Sequence, residues 1–589
     1  MQKLKRFATL VLVCTLTLLY IPSARATAYD DHPKLVIIIV LDQFRADYLE
    51  RYRSDFKNRG FDLFLDHGAW FPDCYFDYAN TQTAPGHSTI GTGAYTNGNG
   101  IGSNQWWDLA RDTKHPVSSV QDERYALVGV PSGTPATPGA SPRNLLASTV
   151  GDELRLDTNG QSEVWGISLK DRASILPAGA TANGAFWIDP ASGRFITSSY
   201  YMPQLPAWAE AFDDSGRIAQ AEQESGVMKI TSFFGDVGPT DAAVMYELDF
   251  AKALITGEAL GTRSTPDLLT ISISSTDMLG HRVGPDSPEQ RALIDAIDAN
   301  LNDFFDWLDK TVPGGLGNVW IALTADHGVA PVPSVAAQLG LNATGINVHK
   351  LTDDLNYAMN MKFSPGEKNA YLLPDQSLPY IALNPPSFTR AGINEQEAED
   401  AVQQALPAAF DDIAKPPQDG KPPTLPAPAK LPPTPQLFRS FTRVQIAAGT
   451  LPDDSFGQLI ANSYTPNGGW YVMVIPDAFQ MQGTGKSGTN HFTPYSYDRH
   501  VPLAFYGAPF EPGTYRGRVQ PVDIAATFAS LLGVNQPSAS VGQILTQALK
   551  PDSKVVYPKP PVKRRVRRRA TPHAAAHKPT TAAPEKKTP

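Results

Sequence analysis

A chain of 589 residues with 42% hydrophobic and 19% charged side chains has the apolar material for a large folded body, which excludes disorder as its overall state. Only one apolar run is long enough to raise the question of a membrane, which excludes a helical membrane bundle. The formal net charge of −9 makes the body acidic, and no specific nucleic-acid partner is expected.

The apolar run is N-terminal. Lys3, Lys5 and Arg6 precede it, it occupies residues 7–21, and Ala24-Arg25-Ala26 then matches an A-x-A cleavage pattern. The run is short for a span, so residues 1–26 read as a signal peptide, with a periplasmic or secreted mature chain starting near Thr27. Cys14 leaves with that peptide and Cys74 has no partner for a disulfide. A small buried hydrophobe is the expected role of Cys74.

Three apolar, β-branched-rich runs follow: LVIIIVL over residues 35–41, LLTISI over 268–273 and VWIAL over 319–323. Continuous runs of this kind suit strands buried on both faces of a parallel sheet. Each leads into acidic or histidine residues, respectively Asp42, then Asp277 and His281, then Asp326 and His327. Ligands collect beyond the carboxyl ends of such strands, so the three segments are expected to build one site. Between the second and third runs, Ser287-Pro288-Glu289-Gln290 offers an N-cap, a proline at the first helical position and a capping-box glutamine. Apolar residues from Leu293 to Leu308 then recur at helical spacing. Residues 501–506 read as a strand and 522–532 as a helix.

The regions about 105–163 and 174–267 are rich in Gly, Pro, Ser and aromatics and read as cap insertions. The Pro-rich segment 415–436 reads as a linker or surface loop. Residues 551–589 form a basic, Pro-rich tail, expected to be disordered and suited to weak contact with envelope or anionic polymers. The fold class expected is α/β: a central, mostly parallel sheet flanked by helices, with inserted cap elements over one catalytic domain spanning 27–550.

Carboxylates and imidazoles are the donors zinc favours. Asp277 and His281 stand four residues apart, one helical turn, so both can face one ion. Lys170 and Arg172 follow the strand-like residues 164–169, and on an extended chain positions i and i+2 share a face. Together they would clamp a dianionic phosphoryl group.

The stretch Asn80-Thr81-Gln82-Thr83-Ala84-Pro85-Gly86-His87 resembles the nucleophile motif of the alkaline phosphatase superfamily, in its phosphate-irrepressible bacterial branch, related to the nucleotide pyrophosphatase/phosphodiesterases. The resemblance implies an alkaline phosphatase-like fold and two Zn2+ per chain. One ion would be held by Asp42, Asp326, His327 and the Thr83 oxygen, the other by Asp277, His281 and His491. Thr83 would be the nucleophile, at a helix N-terminus suited to an anionic phosphoryl group, forming a phosphothreonine intermediate. Gly100-Ile101-Gly102-Ser103-Asn104 resembles the segment whose asparagine donates to a phosphoryl oxygen, here Asn104, and the substrate-binding set would be Asn104, Lys170 and Arg172. Relatives carry glycine after the last histidine where this chain has Phe492, and His500 is the substitute ligand. The implied activity is hydrolysis of small-molecule phosphate monoesters by a monomer. A phosphodiesterase or nucleotide pyrophosphatase of the same superfamily is the alternative, and the Lys170–Arg172 pair weighs against it.

Overall fold

The computed structural model describes residues 32–134, 137–415 and 433–551. The expected signal peptide over 1–26, the basic tail beyond residue 551 and most of the Pro-rich segment 415–436 lie outside the described residues. Every residue of β1 (Leu35–Leu41) is buried, each apolar side chain contributing about 1.5–3 kcal/mol by leaving water. In chain order the further strands of its sheet are β2 (Ala69–Tyr75), β3 (Leu127–Val128), β4 (Val164–Ser168), β5 (Gly184–Ile188), β6 (Phe195–Ser198), β7 (Asp267–Ile273), β8 (Val319–Thr324), β9 (His500–Tyr506) and β10 (Gly513–Thr514). Their spatial order is β10-β2-β9-β8-β1-β7-β4-β5-β6-β3.

β1 pairs in parallel with β7 from Leu35↔Asp267 to Leu41↔Ile273, and with β8 from Leu35↔Val319 to Val40↔Thr324. β4 continues the parallel set beyond β7. β9 and β6 run against the rest, so the sheet is mostly parallel, as the sequence implied. This register brings the carboxyl ends of β4, β7, β1 and β8 to one edge, together with the start of β9. The helices that matter for that edge are α1 (Thr83–Thr92), α2 (Asp171–Ala178), α3 (Ser275–Val283) and α4 (Pro288–Thr311). At the head of α4 the Ser287 hydroxyl accepts from the Gln290 amide at 3.0 Å. The reciprocal half of the expected capping box is missing, because the Gln290 carboxamide donates to the Thr276 carbonyl at 3.0 Å and ties α4 to α3.

The two regions read as cap insertions are more than cover. Residues 184–188 and 195–198 extend the central sheet as β5 and β6, while Gln105–Trp106 pairs with Val117–Ser118 in a separate two-stranded sheet. A further unit had no counterpart in the sequence reading. Strands Tyr380–Ala382, Leu437–Thr442 and Tyr471–Pro476 form a small antiparallel sheet. Helices Val348–Phe363 and Glu395–Ala414 pack on it around a core of their own, including Leu355, Phe388 and Val472. Cys74 is buried in the main core, and burial pushes its thiol pKa well up. Among the described residues no helix is long and apolar enough to cross a membrane.

Glu399 joins this smaller unit together, accepting from the Val444 amide at 3.0 Å and the Tyr471 amide at 3.3 Å. Burial, with Glu395 adding to it, pushes its pKa up to about 8 against the pull of those amides. A carboxyl whose folded pKa exceeds its unfolded value of about 4.3 stabilises the fold below that value, and the contribution is lost as pH rises through the folded pKa. Calorimetry at pH 5 and pH 9 should therefore show a smaller drop in melting temperature for Glu399→Gln than for the wild type.

Candidate active site

Asp42 follows β1, Lys170 follows β4, Asp277 and His281 lie on α3 after β7, Asp326 and His327 follow β8, and His491 lies in the loop ahead of β9. Residues 277 and 281 are one helical turn apart, as their spacing required, and His281 Nε2 lies 3.0 Å from Asp277 Oδ1. Donor atoms of Asp42, Asp326 and His327 fall within 4.8 Å of one another, and so do those of Asp277, His327 and His491. His327 belongs to both groups, its ring stacked on His491 with centroids 3.7 Å apart. His500, the substitute ligand, is turned away: its Nε2 meets the Pro72 carbonyl at 2.7 Å and its ring stacks on Tyr75.

The donor set fits divalent cations. Nδ1 of His281, His327 and His491 each meets a backbone carbonyl, of Thr489, Gly328 and Thr81, at 2.8, 3.0 and 2.6 Å. A carbonyl only accepts, so each Nδ1 carries a proton, which leaves the neutral rings of His327 and His491 with an Nε2 lone pair turned toward the carboxylates. His327 Nε2, Asp42 Oδ1 and Asp326 Oδ2 are buried without a hydrogen-bond partner. Lone pairs and carboxylate oxygens facing one another in a dry site call for positive charge. Lys170 supplies part of it, its ammonium lying 2.5 Å from Asp42 Oδ2 and 2.6 Å from Asp277 Oδ2, and the His281 imidazole on Asp277 supplies more.

The proton affinities reflect that imbalance. Burial, with Asp277 and Asp326 adding, pushes Asp42 up to about 7. Burial opposes ionisation of Asp277 too, but Lys170 and His281 hold its pKa well below the carboxylate range. Burial works against the charge on Lys170, yet Asp277 and Asp42 keep its pKa above the usual value. Burial takes His327 down to about 4 and His491 well below its ordinary value, so both are neutral donors. His281 is opposed by burial but raised by Asp277, to about 9.

Thr83 is the first residue of α1. The N-cap is Gln82, whose side chain makes no cap hydrogen bond, and Thr83 is buried. Its hydroxyl is therefore not taken up in capping, the ordinary role of a threonine there. Asn104 stands beside it, its carboxamide oxygen accepting from the Ala84 amide at 2.8 Å while Gln82 Oε1 accepts from its backbone at 2.9 Å. Asn104 and Arg172 line one cavity of about 460 Å³. Lys170 and Arg172 do not share a face. The strand ends at Ser168 and α2 begins at Asp171, so Lys170 turns into the carboxylates while Arg172, in the first turn of α2, lines the cavity.

Three neighbours escaped the sequence reading. Gln43, at φ 63°, donates from its backbone to Asp326 Oδ1 at 3.1 Å and from its side chain to Asp277 Oδ1 at 2.8 Å, spanning both ligand groups. His87 is buried with Nδ1 2.9 Å from the Thr83 carbonyl and 3.3 Å from Asp326 Oδ2, and Nε2 2.7 Å from Ser272 Oγ. Glu247 is fully buried, and burial raises its pKa far above the carboxylate range. His87 was visible as the end of the Thr83 motif, whereas nothing local marks Gln43 or Glu247.

A model of the Type I phosphodiesterase / nucleotide pyrophosphatase family matches residues 36–432. The chain is 34% identical to alkaline phosphatase PhoV of Synechococcus elongatus, over 88% of this chain and 93% of that one. It is 32% identical to alkaline phosphatase PafA of Elizabethkingia meningoseptica, over 89% and 96%. The crystal structure of wild-type PafA superposes with a TM-score of 0.76 at 30% identity, covering 88% of this chain and all of that one. The chain thus belongs to the alkaline phosphatase superfamily, in its Type I phosphodiesterase / nucleotide pyrophosphatase family. It is a hydrolase with a metal-binding centre built from buried aspartates and histidines.

The approach of α1 to β8 has one tight point. A Cβ on Gly86 would sit 2.3 Å from the Asp326 carbonyl oxygen and 2.7 Å from its Cα, both backbone atoms that cannot swing aside. Gly86→Ala should push the Thr83 turn away from Asp326 and lower kcat/KM by about 10²-fold, with the circular dichroism spectrum unchanged.

Proposed function

We propose that this chain is an exported alkaline phosphatase that hydrolyses small phosphate monoesters through a phosphothreonine intermediate on Thr83. The observation that carries the reading is the arrangement around the first turn of α1. That turn lies against Asp326 at Gly86 and against Asn104 at Ala84; Asp326 shares unpartnered ligand atoms with Asp42 and His327, and Asn104 lines a cavity with Arg172. Two zinc ions would be held, one by Asp42, Thr83, Asp326 and His327, the other by Asp277, His281 and His491. Bound there, such ions make a hydroxyl acidic enough to react and stabilise the charge of the departing oxygen.

The chain's own residues supply the rest. Thr83 Oγ1 forms the bond to phosphorus as the ester oxygen leaves, and water later releases phosphate and restores the hydroxyl. Asn104, fixed by Gln82 and Ala84, donates to an equatorial oxygen. Arg172 offers its planar fork and Lys170 its fixed charge, which suits the charge spread over three oxygens in a loose transition state. Two cations favour a dianionic monoester over a monoanionic diester. The family model also describes phosphodiesterases, so the diester is the reading to test against.

With purified, zinc-loaded protein, an aryl phosphate monoester should be hydrolysed in preference to the matching diester, and a chelator should abolish turnover. Preference for the diester would overturn the monoesterase reading while sparing Thr83. Thr83→Ala should cut turnover by at least about 10³-fold while elemental analysis still finds metal bound. Arg172→Ala should cost the monoester about 10²-fold in kcat/KM and the diester only a few-fold; equal losses would remove Arg172 from the clamp.

A further inference from the structure

Phe492 is placed where a phenylalanine is out of character. Its φ is 86°, in the left-handed region that glycine enters freely and a side chain enters only under strain. The ring is not part of a hydrophobic core: it is partly exposed and lines the cavity shared by Asn104 and Arg172. It stands edge-on to the His491 imidazole, with centroids 4.2 Å apart and planes at 71°. His491 is itself stacked on His327. The three rings form a column that begins among the metal-ligating side chains and ends in the cavity.

Further aromatic groups, Trp106 and Tyr380 among them, line the same cavity. If Asn104 and Arg172 hold the phosphoryl oxygens, the ester substituent of the substrate extends into this aromatic space. A flat ring there meets other rings in offset or edge-to-face contact, which a puckered or open-chain group of the same size does not reproduce. We infer that Phe492 is a specificity-determining residue that selects monoesters whose leaving group is a planar aromatic ring. The inference rests on the monoesterase reading above and names the substrate class of that same site.

The test compares kcat/KM for phenyl phosphate and cyclohexyl phosphate, equal in size and different in planarity, using zinc-loaded wild type and the variants Phe492→Gly, Phe492→Leu and Phe492→Tyr. The esters differ in intrinsic reactivity, and that difference cancels when the phenyl-to-cyclohexyl ratio is compared between variants. The ratio should fall by about five-fold in the glycine and leucine variants and return in the tyrosine variant. The glycine variant should melt no lower than wild type, because glycine accepts the left-handed backbone. If both esters lose rate together and the ratio holds, Phe492 only supports His491 and the inference is overturned. A wild type without monoesterase activity would overturn the functional reading and this inference with it. An active wild type whose ratio ignores the ring overturns this inference alone.

Discussion

Three buried carboxylates, Asp42, Asp277 and Asp326, gather where only the Lys170 ammonium, on the first two, and the His281 imidazole, on Asp277, bring positive charge, and the site is organised around that imbalance. Left alone, such a cluster would protonate or open, because burying unpaired charge costs several kcal/mol per ion. The surrounding fold opposes both outcomes. Gln43 ties Asp277 to Asp326, His87 bonds to the Thr83 carbonyl and lies 3.3 Å from Asp326 Oδ2, and the three ligand histidines are each fixed through Nδ1 on a backbone carbonyl. A centre of this kind is stable as a binding site for cations rather than as a salt-bridge network. The backbone carbonyls that receive the Nδ1 protons come from Thr81, Gly328 and Thr489, so three separate segments determine the tautomers.

The sheet makes that convergence mechanically firm. Paired registers lock β1 to β7 and β8 along their whole length, so a slip at one strand would displace Asp42 relative to Asp277 and Asp326 together. Because side chains alternate faces along a strand, such a slip would also exchange its two buried faces and misfit the packing on each. Catalytic geometry and fold stability are therefore coupled here through register. The tight approach of Gly86 to the Asp326 backbone extends the same coupling to α1.

How much of this could be read from the sequence depended on whether the signal was local. The central strands were legible because they are buried on both faces and read as continuous apolar runs, and β1 begins and ends where its run does. The one-turn juxtaposition of Asp277 and His281 was legible from helical spacing, and the placement of Thr83 at a helix N-terminus from its motif. The Lys170–Arg172 geometry was misjudged because the change from strand to helix falls between the two residues, and a face shared on an extended chain does not survive it. The smaller sheet escaped because Tyr380–Ala382 has three residues and Leu437–Thr442 is only partly buried, so neither gives a periodic run. Gln43 and Glu247 matter through tertiary placement alone.

Two parts of the site obey different constraints. The residues proposed to handle the phosphoryl group come mostly from strand ends and adjoining helix turns fixed by the sheet. The cavity wall draws on separate elements, including Gln105–Trp106 and the smaller sheet that carries Tyr380 and Tyr471, so leaving-group recognition can change without disturbing the metal-binding centre. The His491–Phe492 peptide is where the two meet. His491 is held by the Thr81 carbonyl. One residue beyond Phe492, the Thr493 amide donates to Thr81 Oγ1 at 3.1 Å and Asp498 Oδ2 at 3.0 Å. With both flanks fixed, the intervening residue cannot relax out of the left-handed region, and the cost of about 1–3 kcal/mol that a non-glycine residue bears there persists. A strained residue maintained by its neighbours, carrying a ring from a buried imidazole into an open cavity, belongs to the binding surface more than to the scaffold.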